Sequence, residues 1–462
     1  MCSLVDSDGR TDIKMKKTVL KIEKSGVSRI IKILSSYGKE AKLAFSCEQG
    51  ESDKVKVTMV VTDLTGGIQT VRKFICAGSC EGKVSFSVDL EKLALKLKAS
   101  LDYDEVLEIG VSDKEATVSM GKKVSSSLPL LQREEGDKFL PMGAAEVLAK
   151  IAVPCDAFAK LLAKATLFDS SVPGHDCCVM KFVQQSGQAD DTTHKSMGNV
   201  VLYSGNGVTY CVADRVAQEV EGEKEGEKET VQNAVSFKAQ YSLAELKKYL
   251  AKNADAFKTS EGTMEPSNLL ADGMFLCLSQ QASGKILKML DGEGVLQMIL
   301  TVNYLFIQQG NLLLTYRLPS PATWHRIIER FKNSLDSDAG VSMDAVELGR
   351  AYQWVCTEGR QRVELTLGSD ALKLSVGGAE TECSVSANST SVTTGVDSKQ
   401  LSEVFKLLGR TGQISLLFAE MQQGADVKMP CFTDEAGGTS CFIIPCVKEE
   451  EEEEEEDSSS EE

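Results

Sequence analysis

The sequence predicts an α+β protein built from three similar domains, each with two helices packed on antiparallel sheets. One observation is a strand–helix stretch, clearest at 150–167, that recurs five more times, with Val/Thr/Leu-rich runs ending in Gly, Asn or Asp between the copies. The other is length: 462 residues exceed what one core holds, and six units taken in pairs give three domains of about 150 residues.

The clearest copy shows the pattern of the recurring unit. Ile151 and Val153 form an apolar strand, Pro154 interrupts it, and Phe158 and Leu161 follow at helical spacing. A Ser or Asp stands near most of the predicted helix starts, as an N-cap does. The other five copies are 20–36, 84–100, 235–252, 341–355 and 393–410. The predicted helices begin near residues 25, 89, 155, 242, 344 and 398.

Changes in composition suggest where the domains begin and end. The predicted domains are 1–143, with a mobile lead-in at 1–14, then 144–331, and 332–448. The second domain contains three predicted insertions, 184–198, 221–229 and 253–295. The run 449–462 holds eleven acidic residues and no basic ones, so it is predicted to be a disordered acidic tail.

The charges are unevenly distributed along the chain. The formal net charge is −17, yet the six predicted helices together carry +7. Duplex DNA is a line of negative charge that basic helix faces bind without reading sequence, although surface helices commonly carry solvated lysines with no ligand. The candidate DNA-binding residues are Arg29, Lys32, Lys39, Lys92, Lys96, Lys160, Lys164, Lys248, Lys252, Arg350, Lys406 and Arg410.

No catalytic or metal-binding pattern stands out. His175, His194 and His325 lack metal-ligand spacing, and Cys76 and Cys80 have no second cysteine pair. No phosphate-binding loop, dinucleotide fingerprint or nucleophile elbow is present. We therefore predict a protein that is not an enzyme and uses no cofactor or metal. The scattered cysteines and the lack of a signal peptide or membrane span predict a cytoplasmic protein with reduced thiols.

Six stretches spread over the chain resemble one known family. They are VVTDLTG (60–66), KVSFSVDLEKLALKLK (83–98), FAKLLAKATLF (158–168), YCVADRVAQEV (210–220), the run 344–376, and FIIPC (442–446). Each motif is weak alone, but together their order and spacing are fairly specific. On these residues the sequence resembles the bacterial-type DNA sliding clamp, the beta subunit of replicative DNA polymerase III, as far as Val447.

The resemblance implies a homodimer whose chains join head to tail into a ring, with helices inside and sheets outside. The ring would encircle double-stranded DNA and confer processivity on the replicative polymerase. Polymerase, clamp loader and repair proteins would bind through short linear peptides in a pocket between the second and third domains. The implied pocket residues are Val179, Asp214, Arg215, Val216, Trp324, Arg326, Ile327, Met421, Phe442, Ile443, Ile444, Pro445 and Cys446.

The sequence also departs from the family pattern. The Gly-His pair expected before Arg215 is missing, the second domain carries insertions, and an acidic run follows the proline segment. We therefore expect altered partner specificity. The acidic run either improves solubility or screens the positive channel or the pocket. The main alternative function is a clamp-fold scaffold or regulator that binds replication partners without encircling DNA; an enzyme of an unrecognised family is a weaker one.

Overall fold

The computed structural model describes most of the chain between residues 18 and 446. The described residues are 18–35, 37, 41–50, 53–63, 67–80, 83–100, 102, 106–112, 114–120, 124–131, 146–165, 177–190, 192–206, 208–221, 228–253, 258–259, 262–318, 341–356, 360–386, 391–408, 412–420, 428–434 and 438–446. Within these ranges, no helix has the length and apolar character that a membrane crossing requires.

Lobe 1, residues 18–131, contains two units with the same order: a strand, a helix and three more strands. The first unit is β1 (Thr18–Ile22), α1 (Lys24–Leu34), β2 (Lys42–Gln49), β3 (Lys54–Asp63) and β4 (Ile68–Cys80). The second is β5 (Lys83–Asp89), α2 (Leu90–Ser100), β6 (Leu107–Val111), β7 (Glu115–Met120) and β8 (Val124–Pro129). The units interlock because β1 pairs with β6 and β5 pairs with β2.

Lobe 2, residues 146–318, contains two such units and an extra segment between them. The first unit is β9 (Val147–Pro154), α3 (Cys155–Ala165), β10 (Cys177–Ala189), β11 (Thr193–Gly205) and β12 (Thr209–Ala213). The extra segment contains β13 (Arg215–Glu221), β14 (Lys228–Ala234), β15 (Ser236–Ser242), α4 (Leu243–Lys252), β16 (Lys258–Thr259), β17 (Gly262–Thr263) and α5 (Pro266–Asp272). The second unit is β18 (Met274–Ser279), α6 (Gln280–Met289), β19 (Val295–Thr301), β20 (Tyr304–Gln309) and β21 (Leu312–Arg317).

Lobe 3, residues 341–446, repeats the arrangement of lobe 1. Its first unit is β22 (Val341–Asp344), α7 (Ala345–Val355), β23 (Arg362–Leu367), β24 (Ala371–Val376) and β25 (Ala379–Ser384). Its second unit is β26 (Val392–Asp397), α8 (Ser398–Leu407), β27 (Gln413–Glu420), β28 (Lys428–Asp434) and β29 (Thr439–Ile443). The same interlocking recurs, with β22 on β27 and β23 on β26. The predicted α+β fold and all six predicted helices are confirmed.

Local sequence explains these elements. In α2, Leu90, Leu93 and Leu97 are buried at helical spacing, so one face packs against the sheets. In β3, buried and more exposed residues alternate, as expected of a strand with one face in the core. Asp344 and Asp397 cap α7 and α8, each carboxylate accepting two backbone N–H bonds of the first turn.

The assignment of the fourth unit to residues 235–252 is wrong. Strand pairing shows that the second unit of lobe 2 begins at β18, because β10 pairs with β18 and β9 pairs with β19. Residues 274–295 of the predicted insertion 253–295 belong to this unit. The helix α4 has the clearer periodicity, but it lies in the extra segment, which spans 214–273.

The other two predicted insertions contain paired strands. The segment 184–198 forms the far ends of β10 and β11, which continue to pair up to Ala189 and His194. Part of 221–229 lies in the β13–β14 hairpin, in which Glu221 pairs with Lys228.

The lobes are joined by strand pairing that follows one rule. The last strand of a lobe's first unit pairs with the last strand of the next lobe's second unit. At the first junction β4 pairs with β21, with Arg72 opposite Leu312 at one end and Ile68 opposite Tyr316 at the other. At the second junction β12 pairs with β29, with Thr209 opposite Ile443 at one end and Ala213 opposite Thr439 at the other. Sheets therefore continue from one lobe into the next.

A buried ion pair reinforces the first junction. Lys285 of α6 donates to the carboxylate of Asp63 at the end of β3, and the Asp63 side chain is only 2% exposed. Nearby, Arg72 donates to the backbone oxygen of Met289, the last residue of α6. The helix α6 is thus held against lobe 1 by charged hydrogen bonds as well as by packing.

At the second junction, a lysine predicted to bind DNA is engaged within the protein. The Lys164 ammonium donates to the Arg215 backbone oxygen at 2.9 Å and to Thr439 Oγ1 at 2.7 Å. Burial lowers the pKa of Lys164 from its ordinary value, an effect that nearby Cys211 and Asp434 oppose. Lys164 therefore connects lobe 2 to lobe 3.

Replacing Lys285 with Met should destabilise the protein by about 3–5 kcal/mol, because the buried Asp63 carboxylate would lose the Lys285 ammonium. Urea unfolding measures the change. Lys288→Met is the control, since Lys288 is exposed on the same helix and its loss should cost less than about 0.5 kcal/mol. Equal effects of the two variants would contradict a junction role for Lys285.

Replacing Lys164 with Met should cost about 1–3 kcal/mol, because two hydrogen-bond acceptors at the second junction lose their donor. The control is Lys160→Met on the same helix. Lys160 is exposed and pairs with Asp156 one turn away, so its loss should cost less than about 0.5 kcal/mol. Thermal unfolding compares them, and a larger effect at Lys160 would refute the junction contact.

Candidate functional site

The helices of the recurring units lie in pairs, one pair per lobe. The helix α1 packs on α2, and α3 packs on α6. In lobe 3, the Tyr352 ring of α7 packs edge-on against the Phe405 ring of α8, with the ring centroids 5.3 Å apart. The Tyr352 hydroxyl donates to the Ser398 backbone oxygen at 2.9 Å. We call α1, α2, α3, α6, α7 and α8 the paired helices.

Several predicted DNA-binding residues are exposed on the paired helices. Lys92 and Lys96 lie on α2, Lys160 on α3, Arg350 on α7 and Lys406 on α8. Two of these lysines have an acidic neighbour at short range, Asp89 for Lys92 and Asp156 for Lys160. Such exposed pairs exchange easily with another anion, because each is worth less than about 1 kcal/mol.

The remaining predicted DNA-binding residues fall into three groups. Arg29 and Lys32 lie in α1, but the structure describes only their backbone. Lys39 and Arg410 lie outside the described residues. Lys164 lies on α3 and contacts the second junction, whereas Lys248 and Lys252 lie on α4.

Lys248 and Lys252, which were also predicted to bind DNA, lie on α4, which is not one of the paired helices. The helix α4 begins where β15 ends, beside the start of β9, because Tyr241 pairs with Ala149. In contrast, α3 begins where β9 ends. The helix α4 packs against α5, β9 and β15, and Lys248 pairs with Glu245 and Glu146. Sequence reasoning missed Lys288, which is exposed on α6, because the unit was assigned to α4.

An apolar cluster at the second junction contains two of the predicted pocket residues. Val179 of β10 and Phe442 of β29 are both fully buried and pack in one cluster with Tyr203, Cys277 and Cys431. These residues come from lobes 2 and 3, and the β12–β29 pairing brings them together. Sequence reasoning found Val179 and Phe442 through the family resemblance and missed the other three.

Two charged members of the predicted pocket, Asp214 and Arg215, lie at the edge of this junction. Arg215 Nε is 3.8 Å from Asp214 Oδ1, and both side chains are almost half exposed. The Asp214 N–H donates to the Gly438 backbone oxygen of lobe 3 at 3.0 Å. Val216 is buried in a different cluster, the large core that lobes 2 and 3 share. This edge of the second junction therefore presents a carboxylate and a guanidinium at the surface.

The last described residues complete the second junction. Ile443 and Pro445 are buried, whereas Ile444 and Cys446 are partly exposed. The other predicted pocket residues, Trp324, Arg326, Ile327 and Met421, lie outside the described part of the chain. A cavity of about 290 Å³ lies elsewhere, between α4, α5 and the start of β18, and none of the predicted pocket residues lines it.

The thiols at the second junction behave as apolar groups. Burial raises the pKa of Cys277 and of Cys431 to about 12, and it raises the pKa of Cys441 well above its ordinary value. A protonated, buried thiol packs as a small hydrophobe. Among the residues that the structure describes, no cluster of three or more His, Cys, Asp or Glu side chains is arranged to hold a metal ion.

Comparison with known proteins finds similarity only at the level of structure. No protein-family model matches the sequence, and no curated protein matches it. The fold matches the *Caulobacter crescentus* polymerase III beta subunit with a TM-score of 0.63 and 13% identity, covering 93% of this chain and all of that one. It matches the sliding clamp of *Pseudomonas aeruginosa* with a TM-score of 0.60 and 12% identity, at the same coverage of both chains.

A third match is the *Helicobacter pylori* beta clamp bound to a DNA ligase peptide, with a TM-score of 0.60 and 11% identity. It covers 93% of this chain and the whole of the other. All three structures align over lobes 1 to 3 despite their low identity. The chain therefore has the fold of the bacterial DNA sliding clamps.

Proposed function

We propose that the protein is a DNA sliding clamp, a non-catalytic processivity factor. Two chains form a closed ring around duplex DNA, with the paired helices toward the DNA, and the ring tethers a replicative polymerase. The fold and the exposed cations of the paired helices support this function. Exposed Lys and Arg neutralise phosphates without base contacts, which allows a ring to slide.

The observation that carries the proposal is the joining rule of the lobes. Applied a third time, it pairs β25, the last strand of the first unit of lobe 3, with β8 of lobe 1 in a second chain. Among the described strands, β25 pairs only with β24, and β8 pairs only with β7. Two copies joined in this head-to-tail way close a ring of six lobes without leaving either edge open.

Exposed apolar side chains flank both open edges. Trp354 is 73% exposed on α7, which packs against β25, and Leu95 is 59% exposed on α2, which packs against β8. Trp354 is the tenth residue of α7, and Lys164, which contacts the second junction, is the tenth of α3. By this equivalence, Trp354 faces the proposed junction between β25 and β8 of a second chain.

Partner proteins would bind at the second junction. A ligase peptide on the *Helicobacter pylori* clamp supports a peptide-binding role for the corresponding fold. Here Asp214 and Arg215 lie at the edge of the second junction, and Val179 and Phe442 belong to its buried apolar cluster. An apolar peptide anchor with polar flanks, from a polymerase, a clamp loader or a repair protein, suits this chemistry. The alternative remains a clamp-fold scaffold that binds such partners without encircling DNA.

The variant Trp354→Glu should weaken ring closure by about 30-fold or more, because a buried interface tryptophan contributes about 2 kcal/mol or more. Sedimentation equilibrium gives the dimer dissociation constant. Gln353→Glu is the matched control, because Gln353 is the neighbouring exposed residue and the substitution adds the same charge. A native protein that is monomeric at tens of micromolar, or a dimer indifferent to Trp354, would contradict the proposed closure.

Charge reversal on the paired helices should reduce DNA binding. The triple variant Lys92→Glu, Lys96→Glu and Lys406→Glu should bind duplex at least tenfold more weakly and show a shallower salt dependence. The control reverses Lys247, Lys248 and Lys252 on α4 and should change affinity less than threefold. Retention on circular but not linearised plasmid reports encirclement. Equal losses in the two variants, or no retention on circles by the native protein, would favour the scaffold.

A further inference from the structure

The structure fixes the position of the last residues described before the acidic run. The Ile444 N–H donates to the Val208 backbone oxygen, and the Cys446 N–H donates to the Gly395 backbone oxygen, both at 2.8 Å. Gly395 stands three residues before the start of α8. The chain is therefore held beside the first turn of α8, and the acidic run 449–462 begins three residues later.

Two arginines and a lysine lie near the last described residues. The Arg362 guanidinium lies against Gly395, and Arg360 lies within electrostatic range of Cys446. Arg360 uses its Nε to bind Asp397 and is 71% exposed, so N–H groups of its guanidinium remain at the surface. Lys399 is exposed in the first turn of α8. We call Arg360, Arg362 and Lys399 the exit cluster.

The reach of the run exceeds the distance that it has to cover. Sixteen residues, 447–462, extend over as much as about 55 Å, whereas α8 with ten residues is about 15 Å long. Attachment at Cys446 also gives the run an effective concentration in the millimolar range near the exit cluster. Weak charge pairs that would not hold two separate molecules together are therefore sufficient here.

Composition decides which surface the run suits. It contains eleven carboxylates and no apolar side chain, so it has nothing to insert into the apolar cluster around Val179 and Phe442. The exit cluster and Lys406 on α8 offer positive charge instead. Duplex DNA also presents closely spaced anionic groups, so the two would compete for the same helix.

We propose that residues 449–462 bind the exit cluster and Lys406 in the absence of DNA, and that duplex DNA displaces them. The binding of the run to α8 stands independently of the proposed clamp function. Only the competition with DNA rests on it. The acidic run then acts as a built-in competitor that lowers the affinity for weakly bound anions.

Zero-length cross-linking of the full chain without DNA tests the first half. A carbodiimide joins carboxylates to amines in contact, and mass spectrometry locates the links. We expect links from the acidic run to Lys399 or Lys406 and few to Lys247 or Lys252 on α4. We expect the links between the acidic run and α8 to be lost in 0.5 M salt, because screening weakens the charge pairs. An absence of links to α8, or equal linking to α4, would overturn the binding.

Neutralising the acidic run tests the second half. Five Glu→Gln substitutions at 449–453 should increase duplex affinity about five- to tenfold at 50 mM salt, and less than about twofold at 300 mM. The matched control carries five Glu→Gln substitutions in the other acidic segment, at Glu221, Glu223, Glu225, Glu227 and Glu229, and should change affinity less than twofold.

The outcomes separate this inference from the clamp function. Equal gains in both variants would show an effect of net charge alone and would overturn the competition. Unchanged affinity in the 449–453 variant would overturn it as well. If no variant binds duplex, the clamp function fails, while the cross-links still decide whether the run binds α8.

Discussion

The structure depends on antiparallel pairing between the edge strands of neighbouring lobes. An unpaired edge exposes a row of N–H and C=O groups that readily accept another strand. In this chain two such edges are satisfied by the next lobe, β4 by β21 and β12 by β29. Charged contacts then hold two helices of lobe 2 against the neighbouring lobes. Lys285 of α6 contacts Asp63 of lobe 1, and Lys164 of α3 contacts Thr439 of lobe 3.

The same constraint links the fold to the proposed assembly. Each lobe repeats one interlocked pair of units, so each presents the same two edges. A chain of three lobes uses four of its six edges internally and leaves β8 and β25 at opposite ends. In the proposed closure by a second copy these two edges pair with each other, so that a local backbone requirement would give a ring.

Much of the fold could be predicted from the sequence because its helices are locally encoded. All six predicted helices exist, since N-caps and apolar spacing act over a few residues. The membership of α4 in the recurring units could not be predicted correctly. The helix α6 contains Gly284 and Ser283 and has a weaker signal, and only the pairing of β18 and β19 with β10 and β9 identifies it.

The candidate site was less accessible to sequence reasoning. Lys164 and Lys160 stand one turn apart on α3, yet the Lys164 side chain reaches across the second junction while that of Lys160 stays exposed. Periodicity reports which face a residue occupies, but not what an adjacent lobe places there. Val179 and Phe442 are far apart in sequence, and the family resemblance, rather than composition, predicted that they would meet.

Single-particle imaging of the purified protein at micromolar concentration tests the proposed ring closure. The proposed ring predicts a two-fold particle of six lobes around an opening wide enough for duplex DNA, with β8 of each chain continuous with β25 of the other. Particles of three lobes with both edges open, or dimers joined through other surfaces without an opening, would contradict it.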